Sequence, residues 1–552
     1  MRVADIALDQ AIKRMSRVQP RPSPLKEQDA RAMTTLSLVT LAAASTVTQS
    51  SNAANNPASA SSAAAQEAIT PSPSTIVTIP SADYFESLET YTADGTLASA
   101  APTVTWATNS SDSVTTRMMG DYMSQSFTGQ FYGLGSEVLD RFKTTGSDFT
   151  QSVNVSSTSA SGLTLPSTQG PQADVKLTVE TASGVKVEID LDSETGENSQ
   201  LSVSVHSSGN LSVAERNAIA KMADGFQDAI NGFSTQPPSV NLSGLTQYDP
   251  SVLSSVNLQV NVTGDGSNDL SASYSTSSAT RTLSLSGATG TMKVSVNTSD
   301  SALWGSDAQR SQAIASYLTQ FDNASAEGHG NAEMMSMFKD AFTQMNSNYG
   351  TPSQQLPGTT YAPWLAQSDH AMLTGLADFN ASITDTPASS NPLLPDQTDN
   401  FSYQVSQTTS TDGNQEDGQI SQQQHSHLSA SYHQDLNGTG TPVLGKSLSS
   451  QNYNYVQISD DETSAANIST QDGKLIDASV SQSSSQSLEQ SKYALGKLIS
   501  DVTTPSNSSR SRDLLAPLKP LFANNQAEQN SEGWQQALGN IHGMVLLNSS
   551  AQ

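Results

Sequence analysis

The sequence predicts an α+β protein made of repeated units, each an antiparallel β-meander closed by one packing α-helix, behind a disordered N-terminal tail. Three observations carry this. In residues 201–205, Leu201, Val203 and Val205 alternate with Ser202, Ser204 and then His206, the period of a strand with one buried and one wet face. Directly after it, Ser212 and Glu215 form an S-x-x-E capping box, and Ile219, Met222, Phe226, Ala229, Ile230 and Phe233 fall on one helical stripe. An echo follows about 95 residues later, with Met292, Val294 and Val296 as strand, Ser306 and Gln309 as box, and Ile314, Leu318 and Phe321 as stripe.

Taken in order, residues 1–80 read as a disordered or targeting tail. It holds a short amphipathic pattern (Val3, Ile6, Ile12, Met15, Val18) stopped by Pro20, Pro22 and Pro24. Residues 36–44 are apolar with small Ala42 and Ala44, which fits a signal-peptide core behind a long leader. A start at Met33, or a plain weakly helical tail, are the alternatives. No run approaches the ~18 apolar residues of a membrane span.

Residues 81–146 should be mainly helical, with Met118, Met119, Tyr122, Met123, Phe127 and Phe131 as its apolar positions. Residues 147–330 hold the two meander-plus-helix units. Strands are expected at 149–155, 175–179, 185–191 and 201–205, then at 256–262, 270–274, 283–285 and 292–296. The βαβ rhythm of a parallel sheet is missing. Residues 331–400 open with a helix carrying Met334, Met335, Phe338, Ala341, Phe342 and Met345 on a stripe, then become a Pro/Ser-rich linker. Residues 401–505 read as polar strands closed by a helix from Ser487, with Gln490 completing a box, and 506–552 as a C-terminal helical segment around Trp534, Leu538, Ile541, Val545 and Leu546.

Composition limits the function classes. The net charge is −27 although the first 33 residues hold seven basic and four acidic groups, so the rest carries −30. Such a body repels nucleic acid and anionic membrane surfaces, and neither nucleic-acid binding nor membrane insertion is expected. Cysteine is absent, which removes disulfides, thiolate catalysis and Cys-ligated zinc. Serine makes up 91 of 552 residues. A Cys-free, Ser/Thr/Asn/Gln-rich acidic chain resembles exported bacterial proteins of flagellar-filament and adhesin type in composition. The stretch with Pro237-Pro238, then Leu242-Ser-Gly-Leu245, Tyr248-Asp249-Pro250 and Val252-Leu253, resembles a family of uncharacterised proteobacterial proteins. That resemblance covers less than a tenth of the chain and implies a bacterial source without a function.

Motif by motif, the chemistry is thin. Gly440, Gly445, Lys446 and Ser447 fit G-x4-G-K-S, but a P-loop needs a buried strand before it and a helix after it to present N–H groups to phosphate. Here a polar run precedes and a strand-like run follows, so a turn between strands is expected. His425, His427 and His433 share strand parity with Asp435 beside them. A third ligand eight residues from the first lies ~26 Å away along a strand, so at most two could share a metal. Asp190, Asp192, Glu194 and Gly196, and Asp265 with Asp269, look like calcium-loop fragments but lack the closing acid, and are expected in hairpin turns. Ser336 and Lys339 match S-x-x-K without the partner motifs and fit the polar side of the Met-rich helix. The sequence therefore nominates no catalytic, cofactor-binding or metal residue and no cofactor. The expectation is a non-enzymatic exported bacterial protein, secreted or at the surface, that meets an unknown protein or surface partner. A hydrolase whose site is assembled from separated residues, a host-directed effector, and a cytoplasmic location are the alternatives.

Overall fold

The computed structural model describes residues 103–156, 171–196, 198–264, 269–349, 370–413, 417–523 and 532–547; the tail at 1–80 lies outside them. Fifteen strands run through these residues: β1 Thr103–Trp106, β2 Phe149–Ser156, β3 Gln172–Thr181, β4 Lys186–Glu194, β5 Asn198–Ser207, β6 Leu253–Thr263, β7 Leu270–Ser277, β8 Thr280–Gly287, β9 Gly290–Asn297, β10 Asp378–Asp385, β11 Asn400–Gly413, β12 Gly418–Gln434, β13 Tyr453–Gln471, β14 Lys474–Ala494 and β15 Lys497–Asp513. They form one sheet in the order β1-β2-β5-β4-β3-β6 and then β7 to β15 in sequence. Every neighbouring pair is antiparallel.

Among the described residues ten α-helices accompany it: α1 Ser113–Asp121, α2 Phe127–Gln130, α3 Leu134–Asp140, α4 Val213–Ala220, α5 Ala223–Phe233, α6 Ser243–Thr246, α7 Asp307–Gly328, α8 Ala332–Met345, α9 Lys519–Ala523 and α10 Glu532–Val545. The α+β class and the antiparallel sheet follow. The strand sets that precede α4 and α7 differ in connectivity, however. β6 to β9 is a plain meander, whereas β2 pairs with β5 and only β3, β4 and β5 follow in hairpins. The same sheet also threads segments 147–330 and 401–505 together, so the boundary near 400 interrupts the chain composition without interrupting the hydrogen-bond ladder.

From β2 to β10, burial alternates along most of each strand, as the sequence pattern requires. Val175, Leu177 and Val179 of β3 face Val260, Leu258 and Val256 of β6 in register, all on the covered side. Both capping boxes close: Ser212 N donates to Glu215 Oε2 (2.7 Å) and Glu215 N to Ser212 Oγ (3.3 Å), and the Ser306–Gln309 pair repeats this at 2.9 and 3.3 Å. α7 and α8 deliver Tyr317, Phe321 and Phe342 onto Phe379 of β10 and Tyr403 of β11, with Phe338 packed against Phe321. The Met-rich stripe of α8 is core, as its spacing implies.

The C-terminal third departs from the sequence reading. The expected helix from Ser487 is the second half of β14, and residues 506–513 of the expected helical segment belong to β15; among the described residues of that segment only α9 and α10 are helical. The S-x-x-Q spacing at Ser487 is met inside a strand whose side chains alternate, with Leu488 facing inward and Ser487 outward. A capping motif without a 3.6-residue apolar stripe behind it does not specify a helix.

β15 is an edge strand exposed along nearly its whole length. Leu514 N donates to Ala478 O (2.9 Å), so with the observed register the even-numbered residues from Ser500 onward bond inward to β14 and the odd-numbered ones point their main-chain groups outward. Pro505, at the middle of the strand, therefore lacks an N–H only on the outer row, where it blocks addition of another strand. The register shift beside Tyr493, which leaves Ile499 without a partner, interrupts that row a second time.

One close approach fixes the helical layer. A Cβ on Gly225 of α5 would sit 2.6 Å from Gly244 of α6, backbone against backbone. Helix propensity alone would favour alanine by about 1 kcal/mol. The clash outweighs it, and Gly225→Ala is expected to destabilise the protein by about 1–3 kcal/mol, read as a lower denaturant midpoint with an unchanged slope. A midpoint at or above that of the parent would show that the two backbones can separate without loss.

Candidate functional site

Residues 440–447 form an irregular loop after β12, followed by a single 3-10 turn, Leu448–Ser450, and then β13. Gln451 Nε2 closes the loop on Gly445 O (2.8 Å), and Lys446 is exposed. With neither a parallel strand before it nor a helix after it, the loop lacks the converging N–H groups that cradle phosphate.

The three histidines separate. His427 Nδ1 and His425 Nε2 share Asp461 Oδ1 at 2.9 and 3.4 Å on the outer face of the sheet. His433 is fully buried with Asp399 instead, and Asp435 accepts from Thr439 N (2.8 Å) to hold its own turn. Among the described residues no group of three or more His, Asp or Glu side chains is arranged to hold a metal. The calcium-loop fragments resolve differently from expectation: Asp190, Asp192 and Glu194 lie within β4 rather than in a turn, with Asp190 Oδ1 3.2 Å from Lys176 Nζ of β3. Their every-second spacing is the alternation of a strand's wet face, for which no turn is needed. Asp269 does close a hairpin, its Oδ1 accepting from Gly264 N (2.7 Å), while Asp265 lies outside the described residues. Ser336 is exposed on α8, and Lys339 pairs with Asp322 of α7 (2.6 Å).

Two clusters emerge that sequence reasoning missed. In the first, Ser390 Oγ donates to Asp399 Oδ2 (2.7 Å) and lies 3.0 Å from His433 Nδ1, which itself lies 2.6 Å from Asp399 Oδ1. Burial alone would raise Asp399, but the bonds from His433 and Ser390 outweigh it and hold the carboxyl below its ordinary value. The composition is that of a serine–histidine–aspartate relay, and the geometry is not. A relay places the carboxylate on one ring nitrogen and the nucleophile on the other. Here both crowd Nδ1, the serine proton goes to the carboxylate, and Nε2 is buried without a hydrogen-bond partner. The ring packs 5.1 and 4.9 Å from Tyr453 and Tyr455. The same tyrosines bind Gln397 Oε1 (2.7 Å) and Thr398 O (3.0 Å), so the cluster pins the chain before β11 onto the outer face of β12 and β13.

The second cluster lies on the covered face, where Glu327 at the end of α7 meets Asp460 and Glu462 of β13. Burial, followed by the nearby Asp460 and Glu327, pushes Glu462 up to about 7. Burial and then Asp460 raise Glu327 as well, although Gln486 Nε2 donates to it. Burial and then Asp461 raise Asp460, and His427 opposes that rise. The i, i+2 spacing of Asp460 and Glu462 puts them on one face, but nothing in the sequence announces that Glu327 joins them from a distance.

No protein-family model and no curated protein sequence matches the chain, and no solved structure matches its fold. Among the described residues no helix is long and apolar enough to cross a membrane.

Nucleotide titration should give no saturable ATP binding that depends on Lys446: wild type and Lys446→Ala are expected to behave alike, and micromolar binding lost in the variant would reinstate the phosphate loop. A pH effect follows from Glu462. Its ordinary value is 4.5 and its value in the fold about 7, so the folded chain holds a proton that the unfolded chain releases. The contribution is complete below the lower value and is lost as pH rises through the upper one. Glu462→Gln should therefore lessen the fall in the denaturation midpoint between about pH 5 and 8 and make the protein more stable at the alkaline end. Superposable pH profiles for the two proteins would remove this assignment.

Proposed function

We propose that the protein is a non-enzymatic interaction module exported by a bacterium, secreted or held at the cell surface, and built from two related β-meander-plus-helix units extended by a long polar sheet. The observation that carries the reading is the hairpin of β14 and β15. Its turn end leaves Leu495, Leu498 and Ile499 exposed at 58, 52 and 60 %, beside Leu448, which lies over Gly496. An apolar corner on an otherwise polar, acidic chain is a contact surface by the usual logic of exposed patches. Pro505 and the irregularity at Ile499 disfavour strand addition there, so contact through the side chains is the supported mode. The cysteine-free, serine-rich composition supports export, and the short likeness to uncharacterised proteobacterial proteins supports the bacterial source.

The hydrolase reading rests on the Ser390–His433 contact, and the shared Nδ1 argues against it. Fractionation of the native host with N-terminal sequencing tests the proposal: the chain is expected in medium or surface fractions. Its confinement to the cytosol would reject the export reading, and hydrolysis of model esters that is lost in Ser390→Ala would favour the enzyme.

A further inference from the structure

We infer that the protein binds a small, uncharged, mostly apolar molecule in a cleft far along the sheet from the exposed hairpin. The cleft measures about 760 Å³ and is bounded by the ends of β3, β6, β7 and β8, with α2, the end of α5 and the side of α8 above them. That volume lies in the range that encloses small ligands.

Its floor is made by Phe127, Phe233, Leu270, Leu285 and Met337. All five belong to the main hydrophobic core, so the cleft touches that core at its floor beneath a rim of uncharged polar residues. An apolar occupant would extend packing that the strand ends and helix ends leave unfinished. Uncharged groups such as Ser126, Thr128 and Thr263 edge it, which suits a ligand carrying a hydroxyl or carbonyl at one end.

Charge decides the ligand class. Asp269 is the one ionisable side chain among the described lining residues, and its Oδ1 already accepts from Gly264 N. Among the described lining residues there is no lysine or arginine to receive an anion, and the chain's charge of −27 repels one. A cation would lose its hydration against a single carboxylate that is already engaged. A neutral molecule meets none of these penalties.

The test is a fluorescence titration of the full chain with Nile red, a neutral apolar dye, followed by competition with 1-decanol and with decanoate. Saturable binding at one site is expected, displaced by the alcohol and far less by the carboxylate. Ala288 and Thr289 are exposed residues of the lining, so Ala288→Trp and Thr289→Trp obstruct the mouth without entering the core. Each should weaken binding by about tenfold or more at an unchanged denaturation midpoint. Leu498→Ser with Ile499→Ser, at the exposed hairpin, should leave it unchanged. Dye binding that does not saturate, that survives both tryptophan variants, or that disappears with the hairpin variant would overturn the proposal. Equal displacement by decanol and decanoate would overturn the assignment of a neutral ligand.

Discussion

Buried glutamines, set beside an apolar cluster of β12, β13, β14 and α10, fix which chain segments cover the long-stranded part of this protein. On the covered face of β11 and β12 stand Gln407, Gln422 and Gln424, each 1 % exposed or less, with Ser464 beside them on β13. A buried amide without partners costs on the order of 1–3 kcal/mol, so this face folds only if other chain segments bring hydrogen-bonding groups to it. They do. Gln424 Oε1 accepts from Tyr317 Oη (3.0 Å) and Leu547 N (3.1 Å), and its Nε2 donates to Val545 O (2.9 Å), which also accepts from Ser464 Oγ. Gln407 and Gln422 meet Thr374 Oγ1 and Thr374 N at 2.7 and 2.8 Å. The chain after α10 and the coil before β10 are therefore held in place by polar satisfaction, and α7 is held by both Tyr317 and its aromatic neighbours.

This arrangement explains where the covering layer stops. α7 and the residues after α10 reach β12, β13 and part of β14, where Gln482 still donates to Leu546 O (3.1 Å). Among the described residues no helix covers β15, which is exposed along nearly its whole length. An uncovered terminal strand of 17 residues would invite strand addition unless its outer row were broken. Pro505 and the irregularity at Ile499 break it at two places, leaving a hairpin whose apolar corner can meet a partner through side chains while its ladder stays closed.

The same physics separates what could be read in the sequence from what could not. The short strands were legible because Val, Leu and Ile alternate with Ser and Thr, and the helices α4 and α7 because a capping box precedes an apolar stripe. The second half of β14 and all of β15 were not legible as strands, since their inward positions (Gln482, Ser484, Gln486, Ser506, Ser508) are as polar as their outward ones and alternation leaves no trace. The buried role of Gln422 and Gln424 was hidden for the same reason: amides signal a wet face until their partners are known. Of the candidate chemistry, the rejection of the phosphate loop and the parting of His433 from His425 and His427 could be argued from neighbours and spacing. The carboxylate held by His433 and the acid that meets β13 come from distant segments, and only the tertiary fold brings them together.

The Ser390–His433–Asp399 cluster shows why such gatherings need geometry before chemistry. The three side chains come from two segments, Ser390 and Asp399 from the coil before β11 and His433 from β12, and by composition alone they would pass for a hydrolytic centre. Yet the carboxylate takes a hydrogen bond from the serine hydroxyl, from the ring and from His433 N (2.9 Å), which spends the serine proton on structure and leaves no base in contact with the hydroxyl oxygen except the same nitrogen that already serves the carboxylate. The bonds converging on Asp399 hold the segment before β11 against β12. Together with the glutamine belt on the opposite face, they grip the long polar strands from both sides, the belt along β12 and the cluster at the end of β12 and the start of β13, where Tyr453 stacks 4.8 Å from Tyr493 beside the apolar hairpin corner.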